Sequence, residues 1–269
     1  MHLSAFAAAF RTPDLRKKLL FTLGMLTIFR LGSFVPTPGV DYSAIQRCID
    51  TVQDNSVYAV INLFSGGALL QLSVFALGIM PYITASIIIQ LLTVVIPRLE
   101  LLKKEGQAGQ AKITQYTRYL TIGLAVLQST AILSLARSPG QLFSGCNEEL
   151  IPNQNVFLIL VMIIVMTGGT AVIMWLGELI TERGVGNGMS LLIFTSIIAT
   201  IPAQFIGVYG SRGTFTFIIT LAVALLVLSL VVFVEQGQRR IPVQYAKRMV
   251  GRKMYGGTST YIPLKVNMA

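Results

Sequence analysis

The chain has 269 residues, of which 54% are hydrophobic and 12% charged, and a formal net charge of +10. An ordinary soluble domain carries roughly a quarter charged residues, so this apolar excess excludes one, and uncharged stretches such as 156–177 exclude a basic soluble nucleic-acid binder. Two cysteines, one histidine and no C-x-x-C leave neither a disulfide framework nor a metal motif, and no cofactor is expected.

In chain order, residues 1–18 form a basic segment ending in Arg16, Lys17 and Lys18, directly before an apolar run with no A-x-A site. That run is expected to be a retained anchor. A helix needs about 20 apolar residues to cross a bilayer, and six stretches qualify: 19–35, 74–96, 117–136, 156–176, 189–206 and 215–234. With the amino terminus placed inside, 17 Lys and Arg fall on the cytoplasmic side and only Arg47, Arg137 and Arg212 outside. This is the positive-inside pattern, and the reverse orientation inverts it. Arg30 lies within the first span, near its outer end. Snorkelling to the outer headgroups accounts for it better than a role in a pathway does.

From 57 to 97 the chain is almost continuously apolar, too long for one span and too short for two. The spacing favours a re-entrant segment over 62–73, about 18 Å long if helical, followed by one true span. Such a segment requires an internal cavity open to the outside. An interfacial helix lying flat is the other reading. Pro81 permits a kink in the span that follows. The loop 178–188 contains Gly184-Val-Gly-Asn-Gly, but it joins two helices, so a tight turn explains it better than a phosphate cradle does. After Glu235 the composition changes, and seven of the 21 basic residues gather there. Ile241, Val243 and Tyr245 alternate, as do Thr258, Thr260 and Ile262, and the two runs suit a pair of strands around a basic tip. That tip fits RNA phosphates or an acidic protein surface, with anionic lipid as the plainer partner. Cys48 and Cys146 both fall in outer loops, where a disulfide and two free thiols are equally compatible with the sequence.

Several long motifs then stand in order. They are Asn62-Leu-Phe-Ser-Gly-Gly-Ala-Leu-Leu, Ala76-Leu-Gly-Ile-Met-Pro-Tyr-Ile-Thr-Ala-Ser-Ile-Ile-Ile-Gln, Gln115-Tyr-Thr-Arg-Tyr, Trp175-Leu-Gly-Glu-Leu-Ile-Thr-Glu-Arg-Gly-Val-Gly-Asn-Gly, and Phe233-Val-Glu-Gln-Gly-Gln-Arg-Arg-Ile-Pro-Val. With them the chain resembles SecY, the pore-forming subunit of the bacterial Sec protein translocase, and its wording is most like actinobacterial members. The family has ten spans in two pseudo-symmetric halves of five. The resemblance therefore implies an all-α polytopic membrane protein that is a fragment, the amino-terminal portion of a ten-helix pore. Six transmembrane helices, a re-entrant plug helix and a small β-hairpin-like cytoplasmic loop are expected. Its expected divisions are a cytoplasmic segment 1–18, a five-helix half 19–206 that includes the plug 62–73, a sixth span 207–236, and a basic loop 237–269.

By resemblance, Ile79, Ile83, Met189 and Ile193 match the pore ring, where flexible apolar side chains grip a passing chain weakly. From their spacing of four alone, ordinary helix packing is the better account. Asn62, Phe64, Ser65, Gly66 and Gly67 match the plug. Thr84, Ser86 and Gln90 fall on the lateral gate, although helix-to-helix hydrogen bonding explains them equally well. Arg239, Arg240, Lys247, Arg248, Arg252 and Lys253 match a docking loop for the SecA motor and the translating ribosome. Further implied partners are SecE, SecG, signal sequences, unfolded preproteins and membrane lipid, in the bacterial cytoplasmic membrane. The implied function is a passive, non-enzymatic channel moving preproteins across the membrane and membrane proteins laterally into it. From the residues without the resemblance, a small-solute transporter ranks ahead of a channel. An intramembrane hydrolase fails because no span carries paired carboxylates and no H-E-x-x-H occurs. The re-entrant segment and the basic loop argue against a purely structural subunit.

Overall fold

The computed structural model describes residues 12–51, 65–69, 71–137, 150–152, 155–244, 248–250, 253–255 and 259–265. The helices are α1 (Pro13–Gly32), α2 (Tyr42–Thr51), α3 (Met80–Val95), α4 (Pro97–Lys104), α5 (Gln107–Ala136), α6 (Val156–Arg183) and α7 (Gly188–Glu235). They are followed by strands β1 (Gln238–Gln244), β2 (Arg248–Val250), β3 (Lys253–Tyr255) and β4 (Ser259–Lys265). The chain divides into two compact units, 1–202 and 203–269.

All six apolar stretches carry a helix; among the described residues four helical segments are long and apolar enough to cross a membrane, Gln107–Ala136, Val156–Arg183, Gly188–Gly210 and Gly213–Glu235, or five if the bent pair α3 and α4 is one span, and α1 is not one of them. The second stretch departs from expectation. Instead of a helix over 74–96, residues 71–79 run as turns and α3 begins only at Met80. Pro81 accordingly sits in the first turn, where its missing N–H has no partner to lose, and does not kink a helix interior. At its other end α3 meets α4 across Ile96 at a bend of 100°, placed by Pro97, which disfavours helical geometry at the residue before it.

In the first unit, α5 buries Ile113, Thr117, Thr121, Ala125, Ser129 and Leu133, a stripe of period four made mostly of small residues. Close helix approach explains that choice. The buried hydroxyls are satisfied within the helix: Thr117 Oγ1 donates to the Ile113 carbonyl at 3.0 Å and Thr121 Oγ1 to that of Thr117 at 2.7 Å. On α6, Gly169 and Gly177 let neighbours reach the backbone. A Cβ at Gly169 would lie 2.0 Å from the Val74 carbonyl oxygen, and one at Gly177 2.5 Å from Met189 Sδ.

Two apolar clusters result. One joins Ala44, Ile45 and Cys48 of α2 to Leu69, Leu72, Ala76, Leu133, Met162 and Met166. The other joins Phe29, Phe75, Ile79, Ile173, Leu176, Ile180 and Leu192. The segment 65–79 contributes to both. Asp41 caps α2, its Oδ1 accepting from the Ser43 and Ala44 amides at 2.9 and 3.3 Å and from the Ser43 hydroxyl at 2.7 Å.

In the second unit, α7 bends at Gly213, whose φ of 78° only glycine adopts readily. Phe217 packs edge-on against Phe205 and Tyr209, at centroid distances of 5.9 and 5.8 Å, so three rings brace the bend. β1 pairs antiparallel with β4, with Ile241 opposite Ile262 and Val243 opposite Thr260. β2 pairs with β3, with Arg248 opposite Tyr255. The alternation read from the sequence thus forms a ribbon. Tyr245 and Thr258 lie outside the described residues.

Candidate functional site

A cavity of about 480 Å³ opens among α3, α5, α6 and the start of α7. One wall is apolar, formed by Ile83, Ile87, Met189 and Ile193, and the rim is polar, formed by Thr114, Arg118, Glu178, Thr181, Glu182 and Asn187. Three of the four residues expected in a pore ring therefore meet here. Ile79 does not line the cavity. It is 2% exposed and packs in the cluster with Phe29 and Phe75, at the N-cap of α3, where its carbonyl accepts from the Ile83 amide at 3.1 Å.

The loop between α6 and α7 positions that wall, and it is a tight turn as its sequence suggests. Asn187 Oδ1 accepts from the Met189 and Ser190 amides at 3.0 and 3.3 Å, capping α7. The Gly188 amide donates to Thr181 Oγ1 at 2.9 Å, and the Val185 amide to Thr22 Oγ1 at 3.2 Å, tying the turn to α1. A Cβ at Gly188 would lie 1.9 Å from the Gly177 carbonyl oxygen, so the glycine is required by close approach and not by a phosphate.

The rim holds an ion pair. Arg118 Nε and Nη2 donate to Glu178 Oε1 and Oε2, each at 2.8 Å, a bidentate fork joining α5 to α6. Of the lateral-gate candidates, Ser86 lines the cavity. Thr84 does not, and its Oγ1 donates to the Met80 carbonyl at 3.0 Å. Gln90 Nε2 donates to Ser86 Oγ at 3.4 Å. These bonds stay within α3, so they are not helix-to-helix links.

The described part of the segment expected as a plug, 65–69 and 71–73, lies against the same bundle. Asn62 and Phe64 fall outside the described residues. Residues 65–69 are not a continuous helix: Gly66 and Gly67 have φ of 66° and 93°, which right-handed helical geometry excludes. The foot of the segment is tied to the exit of α1, where the Thr37 amide donates to the Leu72 carbonyl at 3.1 Å and the Val74 amide to the Val35 carbonyl at 2.9 Å. Phe75 stacks on Phe29 with centroids 6.0 Å apart. Arg30, expected to snorkel to the outer headgroups, has partners within the first unit. Its Nη1 donates to the Gly66 carbonyl, and its guanidinium lies over the Phe34 ring at 4.7 Å.

On the ribbon, Arg239 and Arg240 stand on β1, and Arg240 stacks over Tyr261 at 4.8 Å. Arg248 and Lys253 lie on β2 and β3. Lys247 and Arg252 lie outside the described residues. Cys48 is buried and disulfide-bonded, and Cys146 lies outside the described residues. No group of three metal-ligating side chains occurs among the described residues.

A family model described as SecY matches residues 73–269. The chain belongs to the SecY family. It is similar to the protein translocase subunit SecY of Streptomyces scabiei, 64% identical over 274 residues that cover 99% of this chain and 62% of the relative. The subunit of Mycobacterium bovis is 61% identical over 270 residues, covering 99% and 61%. The chain thus spans about three-fifths of the length of these curated relatives.

Among solved structures it resembles one described as a protein-conducting channel, with a TM-score of 0.59 at 18% identity over 93% of this chain and 52% of that one. It also resembles Sec61 in the canine ribosome-channel complex from the endoplasmic reticulum, with a TM-score of 0.55 at 17% identity over 90% and 53%. A third neighbour is described by the plug domain of SecY stabilising the closed channel and maintaining a membrane seal, with a TM-score of 0.53 at 20% identity over 93% and 52%. At these identities the likeness is one of fold.

In this SecY-family chain, sequence reasoning missed the Arg118–Glu178 fork and the contact of Arg30 with Gly66. The first had no local signal, since its two residues lie 60 positions apart in the chain. The second had none either, because glycine permits the backbone angles of Gly66 without requiring them.

Proposed function

We propose that the chain supplies the amino-terminal part of the pore of a protein-conducting channel, through which unfolded preproteins cross the membrane and membrane proteins pass laterally into lipid. The observation that carries this reading is the cavity whose apolar wall of Ile83, Met189 and Ile193 faces a polar, charged rim. An apolar constriction holds no fixed ligand for a passing chain and so lets every sequence through, whereas its rim stays wet. Residues 62–73 act as the plug, and Ser86 lies beside the gate to lipid.

Sidedness follows the basic residues, so the Arg118–Glu178 rim and the β ribbon face the cytoplasm of a bacterial cell. Arg239 and Arg240 with the rest of the ribbon form the docking surface for SecA or the ribosome, which supply the energy. SecE and SecG complete the assembly, and the chain itself has no enzymatic role. The test is cross-linking in the full-length, assembled translocase. A photoreactive residue at Ile83 or Ile193 should capture a preprotein stalled in transit, and one at the exposed Leu160 should capture lipid instead. Equal capture of the preprotein at all three positions would refute the assignment.

A further inference from the structure

Arg30 stands on the last turn of α1 and reaches the carbonyl of Gly66, the second residue of the turn 65–69. The positive φ of Gly66 aims that carbonyl. A Cβ at Gly66 would lie 3.2 Å from Arg30 Nη1 and 3.2 Å from Ser196 Cα, so the turn sits between α1 and the first part of α7. Foot and tip are held by different means. The foot at 72–75 is fixed by backbone hydrogen bonds and by the Phe29–Phe75 stack. The bond that reaches the tip from α1 comes from a side chain.

We propose that Arg30 is the latch of the plug, a positioning residue whose bond to the Gly66 carbonyl holds the tip at rest. The inference rests on the plug reading above. A guanidinium within a span is costly to leave without acceptors, so the latch resists spontaneous opening by thermal motion. An unfolded chain in transit brings backbone carbonyls of its own, and each is chemically equivalent to that of Gly66. Arg30 can therefore exchange one acceptor for another, and displacement of the tip becomes easy only when substrate is present. Release is thereby coupled to occupancy through a swap of hydrogen-bond acceptors, with no change of charge.

The test uses the full-length translocase with its partner subunits, reconstituted in planar bilayers without substrate. Four forms are compared with the parent: Arg30→Leu, Arg30→Lys, Gly66→Ala and a deletion of 65–69. Loss of a charge-assisted bond should raise the resting conductance of Arg30→Leu by about ten- to a hundredfold, toward that of the deletion. Arg30→Lys, which keeps a cation and a donor, should fall between. In parallel, Ser65→Cys, at a site 2% exposed in the resting fold, should be alkylated by a membrane-impermeant maleimide faster by a similar factor when Arg30→Leu is added.

A leaking deletion beside an Arg30→Leu channel that is as tight as the parent, with alkylation unchanged, would overturn the latch. A deletion that does not leak would overturn the plug reading instead, and the alkylation rates would still decide whether Arg30 holds the tip. If Arg30→Leu does not assemble, Gly66→Ala replaces it, since it leaves Arg30 in place and displaces the carbonyl. Parent-like conductance and alkylation in Gly66→Ala would then count as refutation.

Discussion

The adjacent glycines Gly168 and Gly169 on α6 should respond in opposite directions to the same substitution. Nothing lies within 4 Å of a Cβ built on Gly168, whereas one on Gly169 would stand 2.0 Å from the Val74 carbonyl oxygen and 3.0 Å from Val74 Cγ1. Gly168→Ala therefore restricts the unfolded chain and improves helix propensity at no steric cost, a gain of about 0.5–1 kcal/mol. Gly169→Ala has the same propensity gain but drives a methyl into backbone, which cannot rotate aside as a side chain can. Overpacking costs roughly 1–3 kcal/mol, and contact with backbone at 2.0 Å puts this site in the upper half of that range, so the net change is a loss of about 1–2 kcal/mol. At about 2–4 °C per kcal/mol for a protein of this size, Tm should rise by roughly 1–4 °C for the first variant and fall by roughly 2–8 °C for the second. Thermal unfolding in detergent, followed by calorimetry or by Trp175 fluorescence, reads both shifts. Two variants that move Tm in the same direction would show that α6 does not pack on the 71–79 turns through Gly169.

Two further expectations are more local. The side chains of Arg118 and Glu178 are 46% and 21% exposed, so solvent screens the fork. A double-mutant cycle with Arg118→Ala and Glu178→Gln should give a coupling below about 1 kcal/mol that shrinks as salt is added, and a salt-independent coupling of several kcal/mol would contradict the exposed geometry. The Ser43 hydroxyl first, and then the Ala44 and Ser43 amides, hold the Asp41 carboxyl below the usual carboxylate range. A group with a depressed folded pKa stabilises above its unfolded value and loses that contribution as pH falls through the folded one. Amide exchange at Ser43 and Ala44 should therefore speed up, relative to intrinsic rates, as the solution is acidified. Asp41→Asn, which caps without titrating, should abolish that dependence, and an unchanged pH profile in that variant would sink the assignment.

What the sequence made legible follows from the range over which each interaction acts. Apolar runs of membrane length need no partner to be recognised, so all six carried helices. The start of α3 was not legible, because 74–79 is as apolar as the helix after it and hydropathy does not distinguish a buried turn from a buried helix. The positive φ of Gly78 breaks helical geometry just before that boundary, and glycine permits such angles without requiring them. The ribbon was legible from alternation, since Ile241 and Ile262 lie on the β1 and β4 register it suggested. At the cavity, Ile83, Met189 and Ile193 came from family likeness, and their spacing alone argued for packing. Ile79 packs in the cluster that Ile83, Met189 and Ile193 also touch. The fork between residues 118 and 178 joins positions 60 apart in the chain, and no local pattern encodes such a pairing.

The ribbon carries a proline in each long strand, Pro242 opposite Tyr261 and Pro263 opposite Arg240. Both strands are edges, and an exposed edge ordinarily invites a further strand from another chain. A proline cannot donate to such a ladder and is tolerated where its nitrogen faces away from the existing partner. Each open flank is thus interrupted by one missing donor close to the strand's middle. Unfolded polypeptides, rich in unpaired backbone, are the molecules most apt to add themselves as a third strand. A ribbon blunted on both sides resists extension by a third strand and leaves its side chains as the surface that a neighbour meets.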